Sequence, residues 1–274
     1  MGNHPPCPSA PLHSLTPSPP HPLTPSSLPR VNVAGVLLDN VNENEAIAAI
    51  EQMIAEGGPH YMAVVNAAKA VAASRDERLR RALREADLVT ADGMSVVWAS
   101  RWLGSGLKER VTGIDLFERL VARAAERGWP VYFLGARDQA VQGVARNFSS
   151  KYPGLRVAGY RNGYFAAAES AAVADEIKRS GAAILFVAMG SPAQEFWIAS
   201  HLAATGVRFA LGVGGSFDHL SGHARRAPLW MQRAGLEWLH RLAREPRRLW
   251  RRYLIGNTAF LWLVAKQLLS RARS

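Results

Sequence analysis

The chain has 274 residues, 48% of them hydrophobic, which suffices for one sizeable core with a small appendage and excludes a large multi-domain machine. Its net charge of +11 is uneven: residues 226–274 hold 11 Lys and Arg against 2 acids, whereas everything before them holds 22 against 20. A single cysteine, Cys7, excludes a disulfide framework, no Cys or His cluster has zinc-site spacing, and this usage suits a reducing cytosol.

Residues 1–29 are rich in Pro, Ser, Thr and His and nearly devoid of large apolar side chains. They lack the apolar stretch of a signal peptide and cannot form a core, so they read as a disordered leader, which an overextended start of the reading frame would also explain. From 31 to about 211, apolar runs alternate with segments of helical periodicity. Strands are predicted at 61–65, 86–90, 131–134, 155–159, 183–188 and 207–211, and helices at 67–84, 113–127, 139–151, 166–179 and 192–205. Continuous apolar strands alternating with helices predict an α/β domain over 30–225, with a mainly parallel sheet covered by helices on both faces.

Ligands of such sheets bind beyond the carboxyl ends of the strands. The residues there are Asn66, Ala91-Asp92-Gly93, Gly135-Ala136-Arg137-Asp138, Met189-Gly190-Ser191-Pro192 and Gly212-Val213-Gly214-Gly215-Ser216. Four of these five turns bring glycine, which allows close backbone approach and leaves helix N-terminal amides free for an anion. A phosphate-bearing ligand is the natural inference.

Each candidate has a structural alternative. Asp92 follows an apolar strand and precedes an apolar helix: it is an N-cap, or a partly desolvated general base that takes a proton from an attacking hydroxyl. Thr112 and Asp115 have the spacing of a capping box, and Arg110 is either an exposed helix-end charge or a phosphate clamp. In MGSPAQEFW, helix rules make Ser191 the N-cap, Pro192 the first helical residue, Gln194 the closing member of a capping box and Trp197 a core anchor. The stretch also follows a central strand on the ligand side, so Gln194 and Glu195 are candidates for ligand contact. The segment GVGGSFDHLSG misses the G-x-S-x-G elbow because Asp218 stands where glycine is needed, and it has neither dinucleotide nor P-loop spacing. His219 and His223 lie four apart only across a glycine-containing loop and read as solvated or locally bonded.

The segment 226–274 interleaves arginines with Trp230, Trp238, Trp250, Tyr253 and Trp262. Its last apolar run, 253–269, contains Asn257, Thr258 and Lys266 and falls short of the roughly 20 clean residues of a spanning helix. It reads as a basic amphipathic appendage that meets a membrane surface; a helix packed on the body or on another subunit is the alternative. The stripe runs into an apolar stretch rather than a polar reading surface, so no nucleic-acid partner is expected.

Together VTADG, ERVTGIDL, GSPAQEFW, GVGGSFDHLSG and RAPLWMQRAGLEWLHRLAREPRRLWRRY resemble the successive motifs of the WecG/TagA/CpsF glycosyltransferase family, over about 31–253. The resemblance implies a Rossmann-like body and a basic helical C-terminal appendage at the cytoplasmic face of a bacterial membrane. It also implies inverting transfer, without metal or other cofactor, from a UDP-sugar to an undecaprenyl-diphosphate-linked acceptor in surface polysaccharide or exopolysaccharide synthesis. Carried onto this chain, Asp92 is the expected base. Asn66, Arg110, Gly135, Gly190, Ser191, Pro192, Gln194, Glu195, Gly214, Gly215 and Asp218 are expected on the donor, and Arg241, Arg248 and Arg251 on the acceptor diphosphate. The family often has threonine where this chain has Val64, so glucose or another hexose stands beside N-acetylmannosamine and its uronic acid as donor. A non-catalytic UDP-sugar-binding module recruited to membranes is the alternative function, and a homo-oligomer is compatible with the apolar stripes of the appendage.

Overall fold

The computed structural model describes residues 28–222, 227–228, 230–231, 235–244 and 246–271. Apart from Leu28 and Pro29, the leader expected over 1–29 lies outside the described residues, as does His223.

The fold starts with a hairpin that the sequence did not announce, β1 (Arg30–Val33) and β2 (Val36–Asp39), turned through Ala34 and Gly35 at φ of 52° and 84°. Two positive φ values in succession give a two-residue turn whose twist matches its strands. Helix α1 (Glu43–Glu56) follows, started by a capping box between Asn42 and Glu45.

The body then alternates as predicted: β3 (His60–Val65), α2 (Ala67–Arg75), α3 (Glu77–Glu85), β4 (Leu88–Ala91), α4 (Met94–Trp102), α5 (Gly113–Arg127), β5 (Val131–Gly135) and α6 (Asp138–Lys151). After these come β6 (Val157–Arg161), α7 (Ser170–Ser180), β7 (Ile184–Ala188), α8 (Ala193–Thr205), β8 (Phe209–Gly212) and the short α9 (Ser216–Leu220). All six predicted strands are present, shifted by a residue or two at their ends. The single helix expected over 67–84 is two, because Asp76 leaves the helical region at φ −122° and ψ 108° and accepts from the N–H groups of Arg78 and Leu79. A side chain that satisfies the first amides of a new helix makes that break favourable.

The six strands are parallel in the order β4-β3-β8-β7-β5-β6. Their residues are apolar on both sides since both faces are covered. On one face Phe117, Phe133, Phe148, Phe186 and Phe217 gather, with Phe117 ring centroids 4.4–6.0 Å from the other four. On the other, Val71, Val97, Ile177 and Ile198 pack with residues of β1 and β2. The open edge of β4 is blunted by Asp39, whose carboxylate accepts from the Val89 N–H at 2.7 Å and from Arg30 Nε at 2.8 Å. Burial pushes that carboxyl above the usual carboxylate range, against the pull of the Val89 and Arg30 donors.

The appendage contributes α10 (Glu237–Arg244) and the long α11 (Pro246–Arg271). One face of α11 is part of the body: Phe260 and Val264 are buried in the same cluster as Val71 and Val97. Further along, Gln267 accepts from the Ala34 N–H at 2.7 Å and donates to the Asn32 carbonyl at 2.9 Å, and Arg271 donates to the Leu103 carbonyl. Among the described residues no helix is long and apolar enough to cross a membrane.

Candidate active site

Asn66, immediately after β3, caps α2 by accepting from the Lys69 N–H at 3.0 Å. Asp92 occupies the equivalent place after β4, and its own N–H continues the ladder to the Val65 carbonyl at 2.9 Å. The capping alternative for Asp92 does not hold, since the residue at the start of α4 is Gly93 and no side chain caps that helix. The Asp92 carboxylate instead accepts from the N–H of Gly113, 3.3 Å away at the start of α5. The carboxylate thus faces the N-terminal end of α5, the positive end of that helix. Thr112 caps α5 as expected, its hydroxyl accepting from the Asp115 N–H, but that hydroxyl also donates to the Asp115 carboxylate in place of the Thr112 backbone N–H that a capping box would use. Val64 is buried under this turn, and a Cβ on Gly113 would lie 3.3 Å from its Cγ2.

Asn66, Asp92, Trp98 and Arg110 line one cavity of about 270 Å³, closed from the appendage side by Glu237, Trp238 and Asn257. The Arg110 guanidinium reaches Glu237 Oε2 at 3.3 Å, with the two side chains only 17% and 14% exposed. Gly235, at φ 71°, lets the appendage close here: a Cβ would sit 2.7 Å from Met94 Cγ. Trp98 and Glu237 escaped the sequence reading, and Asn257 entered it only as an interruption of an apolar run. Glu237 had one legible sign, as one of two acids in a strongly cationic segment.

Further along the same carboxyl edge lie Gly135 at the end of β5, Gly190, Ser191 and Pro192 after β7, and Gly214, Gly215 and Asp218 after β8. Because β5 leads outward to β6 and β7 leads back to β8, the loops carrying Gly135 and Gly190 flank the switch point where open α/β sheets take ligands. Backbone is close-packed there: a Cβ on Gly135 would meet the Ala188 backbone at 2.5 Å.

The helix-rule reading of MGSPAQEFW needs correction. Ser191 is exposed, the N-cap position falls on Pro192, and no side chain caps α8. Gln194 points inward instead, accepting from the Gly214 N–H at 3.0 Å and donating to Glu195 Oε1 at 2.9 Å. The same Glu195 oxygen takes Lys69 Nζ at 2.6 Å, in a pair that is only 4% and 6% exposed. Buried polar groups must be bonded, and that demand turned Gln194 away from the cap. Gln194 and Glu195 thereby tie α8 to the turn after β8 and to α2, while the second Glu195 oxygen, Oε2, is buried with no hydrogen-bond partner among the described residues. Trp197 is the buried anchor expected of it. The backbone of Arg241 lies in α10 and that of Arg248 and Arg251 in α11, whereas their side chains are outside the described residues.

The sequence model of the glycosyl transferase WecG/TagA/CpsF family matches residues 31–274. The chain belongs to that family. Two similar relatives are N-acetylglucosaminyldiphosphoundecaprenol N-acetyl-beta-D-mannosaminyltransferases, from Bacillus subtilis and Bacillus spizizenii. The first is 36% identical over 193 residues, 70% of this chain and 74% of the relative; the second is 37% identical over 182 residues, 66% and 70%. The family match runs through the appendage, so α10 and α11 belong to the glycosyl transferase as much as the sheet does.

Removing one partner of the Lys69–Glu195 pair strands the other charge in the interior, which typically costs about 3–5 kcal/mol. Lys69→Met is therefore expected to lower stability in urea unfolding by that order, and the double variant Lys69→Met with Glu195→Leu by clearly less. Equal losses in both would show that the pair is not the strut described.

Proposed function

We propose that this glycosyl transferase moves a hexose, an N-acetylhexosamine or its uronic acid from a UDP-sugar to an undecaprenyl-diphosphate-linked acceptor, with inversion, in bacterial surface polysaccharide synthesis. The carrying observation is that Asp92 and Arg110 share one cavity at the carboxyl edge of the sheet, walled on its far side by the appendage. The names of the relatives support the acceptor class, an N-acetylglucosaminyl-diphospho-undecaprenol.

In this reading Asp92 takes the proton from the acceptor hydroxyl as that oxygen bonds to the anomeric carbon and the bond to the UDP oxygen breaks on the opposite side. The departing diphosphate needs positive charge, which Arg110 and the helix N-termini behind the glycine turns supply without a metal. Donor and acceptor divide the edge between them: the nucleotide lies towards the β7 and β5 turns, with Gly135, Gly190, Ser191, Pro192, Gly214, Gly215 and Asp218. The acceptor sugar enters at Asp92, and Arg241, Arg248 and Arg251 meet its diphosphate.

A lipid-bound acceptor asks for a protein held at the inner face of the cell membrane, and α11 is suited to that. Ile255, Trp262 and Leu269 recur at seven-residue steps with Leu261 and Leu268 beside them, and all five are exposed, Trp262 and Leu269 by more than 60%. The opposite face holds Phe260 and Val264. An outward apolar stripe on an otherwise basic segment is the pattern of an interfacial helix.

Asp92→Asn is expected to reduce transfer by about 100- to 10,000-fold while UDP binding stays near wild type. Turnover near wild type would remove Asp92 as the base; UDP binding with no sugar turnover by the wild-type protein would favour a binding module instead. Trp262→Ser combined with Leu269→Ser should weaken co-sedimentation with phosphatidylglycerol vesicles by about ten-fold. Unchanged co-sedimentation would place the membrane contact elsewhere.

A further inference from the structure

We propose that Glu237, delivered by the appendage, is a positioning residue for Arg110 in the transfer reaction, a proposal that rests on the function given above. Arg110 belongs to the loop between α4 and α5, so no helix fixes its side chain. Its backbone is placed by its neighbour, for the Val111 N–H donates to the Ala91 carbonyl at 2.9 Å beside Asp92. A guanidinium anchored so near a carboxylate would be expected to pair with it. It does not: its ion-pair partner among the described residues is Glu237, at 3.3 Å.

That choice of partner sorts the charges of the cavity. An Arg110–Asp92 pair would tie up the carboxylate that has to accept a proton and would withdraw the cation from the leaving group. Glu237 draws the guanidinium to the opposite wall and uses one of its five N–H donors, which leaves the planar fork able to meet phosphate oxygens. Glu237 is itself held in place. It starts α10 two residues after Gly235, which sits against Met94 of α4, and the intervening Leu236 donates its N–H to the Met231 carbonyl at 2.8 Å. The appendage therefore completes the catalytic half of the site with a carboxylate of its own, and its basic residues do not account for that contribution.

A double-variant cycle on the full-length protein, Glu237→Ala, Arg110→Ala and both together, tests this through kcat/KM for the UDP-sugar and through UDP affinity by calorimetry. Glu237→Ala should lower kcat/KM by about 10- to 100-fold, the scale of a misplaced catalytic group, and weaken UDP binding. In the Arg110→Ala background it should change neither quantity further, because the residue acts through the arginine. Glu237→Gln, which keeps a hydrogen-bonding oxygen, should fall between wild type and Glu237→Ala. Limited proteolysis at the appendage arginines separates this from simple detachment. Effects that multiply in the double variant, activity that falls only in step with faster cleavage, or a Glu237→Ala enzyme within two-fold of wild type would overturn the proposal. A wild-type protein that binds UDP but turns over no donor would overturn the transferase reading alone, and the affinity cycle would still decide for or against Glu237; absence of UDP binding would overturn both.

Discussion

The arrangement depends on the seating of α11 against the body. Phe260 and Val264 enter the core where α11 packs on α2, and Gln267 bonds to the backbone of the β1–β2 turn. Burying two such side chains contributes several kcal/mol by the usual area relation, so this face of the helix is a structural element rather than a loose tail. From that seat the chain returns Gly235, Glu237, Trp238 and Asn257 to the cavity at Asp92. Without α11 in place the ends of β3 and β4 would open to water, and a water molecule beside a base is a competing acceptor for any activated sugar.

A helix with one face in the core and the other apolar and exposed must reconcile two burdens. The inner stripe at 260, 264 and 267 satisfies folding; the outer one at 255, 262 and 269 is more than half exposed and belongs to neither core cluster. The packed-helix alternative for the appendage therefore holds for one face of α11, and the membrane contact proposed above would use the other. A membrane at the outer face would also set where a lipid-linked substrate could enter, along the appendage and towards Asp92.

Much of this was legible in the sequence because the sheet is doubly covered. Continuous apolar runs such as ILFVA, too short for a helix and bounded by turn residues, mark buried strands, and glycines after them mark the ligand edge. The hairpin was not legible: RVNV and VLLD are four residues each, and Ala34, a residue that rarely takes positive φ, completes the turn. Of the site, Asn66, Asp92 and Arg110 were identified and do meet in one cavity. Gln194 was misassigned because local capping rules cannot see the Gly214 N–H, twenty residues away, that claims its side chain. Glu237 was missed for a similar reason, its partner lying 127 positions earlier in the chain. Local rules fail where a long-range polar contact outweighs them, and here those places adjoin the site.

The central claim is a single-displacement transfer with one carboxylate, Asp92, behind the acceptor hydroxyl. Its most direct test is the anomeric configuration of the product formed from an α-linked UDP-sugar and a short-chain polyprenyl-diphosphate N-acetylglucosamine, read by NMR. A β-linked product is predicted; an α-linked product would contradict the account, because a single displacement with Asp92 as base inverts the anomeric carbon.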